Sequence, residues 1–203
     1  MRLLTFARWT WMPCNTVLAC FALTEELEAL RELGLDLFYV GCESGDDLVL
    51  DRVQKGESFE SALAALRKIK DAGAHSSVMI LNGMGGMKYS EQHAKNSALL
   101  MNEAQPEYLA TLVVSFPQGM EKYQAGFDGD FEPLDQPGLF REMFWLLDTL
   151  ELERTIFRSD HASNYLVLKG TLNRDKDRLL TTVRQALDRP GSVPLRPEWA
   201  RGL

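Results

Sequence analysis

The chain has 203 residues, 45% apolar and 25% charged, with a formal net charge of −7 and a pI near 5.1. That length fits one domain with a sizeable core; the composition excludes a disordered chain, and the acidic balance argues against nucleic acid as the main partner. No apolar run is long enough to span a bilayer, residues 9–23 lack the pattern of a cleaved signal peptide, and three scattered cysteines make no disulfide framework, so the expected location is the cytoplasm.

Residues 3–7 form a short apolar run that reads as a strand, and residues 9–21 carry no clear period. Thr24 is placed to cap a helix, with Glu25 and Glu26 in the first turn where the helix dipole favours negative charge, an apolar stripe of Leu27, Leu30 and Leu33, and Gly34 to end it. Residues 35–42 are nearly continuous in apolar side chains, as a parallel strand covered on both faces requires. Ser58 caps the next helix, whose apolar positions are Phe59, Ala62, Leu63, Leu66 and Ile69, and Gly73 ends it. A strand over 76–81, a helix over 90–103 stopped before Pro106, and a strand over 108–115 follow.

This alternation predicts an α/β fold with parallel βαβ units: a single domain over 1–203, with a partial TIM-like (βα)n barrel core at 1–115 and a helical extension at 116–203. In the extension, periodicity predicts helices over 139–150 and 175–187, with an irregular segment at 156–170 between them and a tail marked by Pro190, Pro194 and Pro197.

The chemistry-bearing positions lie where predicted strands end. In parallel α/β folds ligands bind at the carboxyl ends of the strands. The first such loop, Val40-Gly41-Cys42-Glu43-Ser44-Gly45, offers a carboxylate and a hydroxyl. A carboxylate there either faces a cavity, where it can accept hydrogen bonds from a diol or an amine, or caps the next turn or pairs with Lys55. The second, Ile80-Leu81-Asn82-Gly83-Met84-Gly85-Gly86, offers a backbone open to close approach. Its glycines match neither the dinucleotide fingerprint nor a P-loop, and a tight strand-to-helix turn explains them in part. Asp160, His161, Ser163 and Asn164 read as a polar cluster that fixes an irregular loop or contacts substrate, since no G-x-S-x-G elbow exists. His75 and His93 read as surface residues, Met79, Met84 and Met87 as core or pocket lining, and Cys14, Cys20 and Cys42 as buried thiols.

Taken together, Gly41-Cys42-Glu43-Ser44-Gly45, Leu50, Lys55-Gly56, Ala72-Gly73, the 80–86 segment, the 157–166 and 169–172 segments and Leu195-Arg196-Pro197-Glu198-Trp199 resemble the later part of a radical S-adenosylmethionine (radical SAM) enzyme. The resemblance covers about residues 24–203, with a weaker match at 2–7. It implies S-adenosylmethionine and a [4Fe–4S] cluster as cofactors and reductive cleavage to a 5′-deoxyadenosyl radical, with an unknown substrate. It places Glu43 and Ser44 beside the ribose and methionyl parts of the cofactor, and Ile80, Asn82 and Gly83 against its adenine.

The family holds its cluster on a C-x3-C-x2-C motif after the first strand, and the chain has no such triplet; Cys14 and Cys20 are separated by five residues. The expectation is therefore a partial barrel that is inactive alone, with the missing half supplied from elsewhere or an open sheet edge at 3–7 that favours self-association. The alternatives are a non-catalytic S-adenosylmethionine- or nucleotide-binding scaffold of the same fold, and an unrelated small α/β enzyme with an anion on its glycine loop.

Overall fold

A computed structural model describes residues 24–117 and 119–202; the strand expected at 3–7, the segment 9–21, Cys14 and Cys20 lie outside the described residues. The described chain opens with α1 (Thr24–Glu32), whose Leu27 is buried while Leu33, expected on the same stripe, is exposed. Then come β1 (Leu37–Glu43), α2 (Asp47–Arg52), α3 (Phe59–Asp71), β2 (His75–Asn82), α4 (Gly86–Ala104) and β3 (Tyr108–Val113). Helix α3 starts where its sequence says it should: Ser58 and Ser61 form a reciprocal capping box, and Ala62, Leu63, Leu66 and Ile69 are buried.

The remainder departs from a helical extension. After α5 (Glu121–Gly126) and α6 (Gln136–Thr149), the segment expected to be irregular supplies two strands, β4 (Ile156–Ser159) and β5 (Leu168–Thr171), before α7 (Lys176–Asp188) and a 3-10 turn at Glu198–Ala200. The five strands form one sheet in sequence order. The first four are parallel, and β5 corrects the all-parallel expectation by pairing antiparallel with β4. A strand that returns beside its predecessor needs no crossover helix, and the chain between Ser159 and Leu168 contains none.

The fold is thus α/β, with a mostly parallel, partial-barrel sheet. Val40, Val78, Leu109 and Phe157 line up across it through the register pairs Val40–Val78, Val78–Leu109 and Leu109–Phe157, and each is fully buried. They belong to one continuous core with the inner faces of α3, α4, α6 and α7. Among the described residues no helix is long and apolar enough to cross a membrane.

Candidate functional site

Strands β1 and β2 end side by side. Their register runs evenly from Leu37–His75 to Gly41–Met79, then slips at a bulge so that Glu43 pairs with Ile80. The bulge turns Glu43 into the left-handed region, at φ 65°. Its carboxylate folds back over Gly41: a Cβ at that position would lie 2.4 Å from Glu43 Oε1. Glycine at 41 is therefore a condition for this orientation.

The carboxylate is nearly enclosed and lies 3.7 Å from Lys55 Nζ, so the pairing with Lys55 is present. Burial raises its pKa, Lys55 opposes that rise, and the charge of Glu57 adds to it. Both carboxylate oxygens of Glu57 are buried with no hydrogen-bond partner, and burial raises its pKa too. A buried carboxylate without a donor is expensive unless a ligand supplies one. The phenol of Tyr123 is pushed up by burial and by the charge of Glu43.

Tyr123 belongs to a strap, residues 119–132, that includes α5. Its ring packs against Phe116 and Phe131, with centroids 4.8 and 5.0 Å away. The strap is tied to the first loop region by Arg52 and Asp128, and to the start of α4 by Lys88 and Asp130 at 2.6 Å. It also lies directly on the glycine loop, where a Cβ on Gly86 would meet the Glu132 carbonyl at 2.9 Å.

The rest of the first loop turns inward. The Ser44 hydroxyl is fully buried, accepts from Asp46 N–H at 2.9 Å and meets His93 Nδ1 at 2.8 Å. Gly45 donates to Ser97 Oγ and sits so close to α4 that a Cβ would fall 2.4 Å from the Asn96 carbonyl oxygen. His93, expected at the surface, is 1% exposed. It lies on the buried side of α4 with Ser90, Ala94 and Ser97, and its Nε2 is 3.0 Å from the Leu81 carbonyl oxygen.

The glycine loop is held from the opposite side by Glu142 of α6. Glu142 is fully enclosed, accepts from Gly83 N–H at 2.6 Å through Oε1, and meets Ser90 Oγ at 2.6 Å through Oε2. Burial raises its pKa, partly offset by His93 and by these two hydrogen bonds. With Gly83 N–H held by Glu142 and Gly86 N–H by the Gly83 carbonyl, the loop is a turn built for packing rather than an anion cradle.

The expected site residues thus separate. Glu43 is at the mouth, with the backbone of Ile80 beside it and the Ile80 side chain in the core. Ser44 and Gly83 are tied to partners inside the protein. Asn82 lines a small cavity of about 20 Å³ with Ser159, Asn164 and Tyr165 at the β3–β4 side. Of the methionines Met84 is buried, whereas Met87 is exposed.

The cluster at 160–164 fixes its loop, the first of the two readings its sequence offered. Ser163 Oγ accepts from Val113 N–H at 3.0 Å and lies 2.9 Å from His161 Nδ1, and Asn164 donates to the Thr111 carbonyl at 2.8 Å. Sequence reasoning missed His93, Glu142, Glu57 and Tyr123. Glu142 carried a signal, since it shares a helical face with Leu139, Met143 and Leu146, all buried.

Both loops at the mouth fall within residues 7–98, the stretch matched by the family model of the radical SAM superfamily. This segment belongs to the radical SAM superfamily. Among the described elements the match spans α1 to most of α4, and so includes Glu43, Ser44, Ile80, Asn82 and Gly83. The search of curated proteins gave no match.

The donor set suits one of the cofactors a radical SAM protein uses. Glu43, and Glu57 whose charge reaches it, offer carboxylates that can accept from an ammonium or a diol. For the cluster, the described residues offer no such fit. Among the described residues no group of three or more His, Cys, Asp or Glu side chains is placed to hold a metal, and Cys42 is buried in the core.

Proposed function

We propose that the chain forms the S-adenosylmethionine-holding wall of a radical SAM active site, with Glu43 as the side chain that accepts from the cofactor's ribose diol or amine. The observation that carries this reading is the pairing of an enclosed carboxylate at the end of β1 with the unpartnered Glu57 carboxylate, both inside or directly beside a segment of this superfamily. Asn82 and the backbone of Ile80 and Gly83 shape the adjoining wall, and Ser44 holds the loop that carries Glu43. Lys55 is the pairing partner that Glu43 exchanges, in part, for the ligand. Calorimetric titration of the full chain with S-adenosylmethionine tests this. Glu43→Ala should weaken binding by about 1.5–3 kcal/mol, the range for hydrogen bonds to charged groups. Unchanged affinity in the variant would remove Glu43 from the site.

Cleavage of the cofactor belongs to a larger assembly in this reading. The cleavage chemistry of the superfamily needs a cluster held by thiolates, and the chain's cysteines at 14, 20 and 42 do not supply the C-x3-C-x2-C spacing. A second chain or segment bearing that motif is the proposed partner, and the cytoplasm the proposed location. Anaerobic reconstitution with iron and sulfide, followed by dithionite and S-adenosylmethionine, should give no catalytic formation of 5′-deoxyadenosine from this chain. Turnover would refute that part of the proposal and assign a cluster site to residues 9–21.

A further inference from the structure

Between the two mouth loops lies a chain of buried polar groups that do not reach the ligand side. It runs from Ser44 Oγ to His93 Nδ1 at 2.8 Å, then from His93 Nε2 to the Leu81 carbonyl at 3.0 Å and towards Glu142 Oε1 at 3.9 Å. Glu142 then takes Gly83 N–H and Ser90 Oγ, each at 2.6 Å. Ser44, Ser90, His93 and Glu142 are all at most 4% exposed and come from the β1–α2 loop, α4 and α6. Buried ionisable pairs are often replaceable by apolar side chains without loss of stability. What an apolar filling cannot do is fix two loops at hydrogen-bond length.

The partners assign the protons. Nε2–H donates to the Leu81 carbonyl, which leaves Nδ1 to accept from the Ser44 hydroxyl, and Ser44 Oγ in turn accepts from Asp46 N–H. Every group is satisfied with a neutral imidazole. A donor at Nδ1 would occupy the second Ser44 lone pair and leave the hydroxyl proton without this acceptor. Glu142 is satisfied in either state, because it can receive the Ser90 proton or donate its own to Ser90 Oγ.

We propose that His93, together with Glu142, is a positioning element that couples the loop bearing Glu43 to the loop bearing Gly83, so that a change at one is transmitted to the other. The coupling stands on the protein's own geometry. Its use, setting the width of the mouth for S-adenosylmethionine, rests on the function proposed above.

The test is native-state amide hydrogen exchange on the full chain, comparing Gly83 with Leu109 in the core. In Ser44→Ala the Gly83 amide, which Ser44 does not touch, should exchange about fivefold faster or more relative to Leu109, the lower end of ordinary site-to-site coupling. A purely structural loss would move both amides together, and that result would overturn the inference. His93→Asn keeps an acceptor near Ser44 and should leave the Gly45 and Asp46 amides protected while Gly83 loosens. His93→Gln keeps a donor near Leu81 and should do the reverse. If both His93 variants fail to fold, Ser44→Ala and Glu142→Gln carry the test, and additive effects of these two on stability would also reject coupling. Titration of the same proteins with S-adenosylmethionine separates the two readings. Failure of the unaltered chain to bind sinks the proposed function and leaves the exchange result standing. Binding unaffected by loss of His93 sinks the role of the coupling at the mouth.

Discussion

At the ends of β1 and β2 the loops are tied by groups that water does not reach, whereas the segment after β4 is tied from outside by the C-terminal end of the chain. In the first case the ties are Ser44, His93 and Glu142. In the second, Arg196 Nη1 donates to the carbonyls of His161 at 2.7 Å and Asn164 at 2.6 Å, and Arg201 Nε donates to that of Ser163 at 2.8 Å, with the Arg201 guanidinium carbon 3.7 Å from the centre of the Tyr165 ring. A buried donor that loses its partner has no water to turn to, so the first arrangement fails all at once. Of these carbonyl-bearing residues only His161 is exposed, whereas Ser163 and Asn164 are buried, so the second can be loosened first where the His161 carbonyl meets water. The mouth with the candidate ligand-binding carboxylate is the rigid half.

The sharpest way to break this contrast is Glu142→Leu, which leaves Gly83 N–H and the Ser90 hydroxyl buried without an acceptor. A loss of about 2–4 kcal/mol is expected in urea unfolding, from the unsatisfied donors alone. A loss no larger than that of a surface replacement would mean the loop rehydrates and is not the rigid half. Next is Gly45→Ala, whose Cβ would press on the backbone of Asn96. Overpacking of this kind costs about 1–3 kcal/mol. Arg196→Ala, on the other side, should cost only about 1 kcal/mol, because water can replace a partly exposed guanidinium. If it matched Glu142→Leu the comparison would collapse.

The smallest effect is a slope. Burial holds the Glu142 pKa above its ordinary 4.5. As pH rises past that value the unfolded chain releases this proton while the folded chain keeps it, so this group's contribution to stability falls with rising pH until the folded carboxyl ionises as well. Glu142→Gln should flatten that part of the stability profile; parallel profiles in the two proteins would show that Glu142 is already ionised in the fold.

The same contrast explains what the sequence made visible. Strands β1 to β3 were legible because buried parallel strands are written in unbroken apolar runs. Strands β4 and β5 were not, because four residues such as Ile156-Phe157-Arg158-Ser159 are too few to show a period, and their place is set by pairing with β3 and with each other. Glu43 stood out as a carboxylate at a strand end. His93 did not, because the buried face of α4 is written with Ser90, His93 and Ser97, polar residues that are interior only through partners on other elements. The start of α4 was hidden for a related reason: Gly85 offers no side-chain cap, and Ser90, which looks like one, is bonded to Glu142.

The bulge at Glu43 has a consequence for anyone improving this protein. A residue with a Cβ held at φ 65° carries a backbone penalty of about 1–2 kcal/mol that glycine would not. Selection for thermal tolerance alone would therefore favour Glu43→Gly, and the hardier protein would have lost the carboxylate at the end of β1. Robustness and recognition compete here at a single residue, so a library sorted by melting temperature should be depleted of ligand binders at this position first.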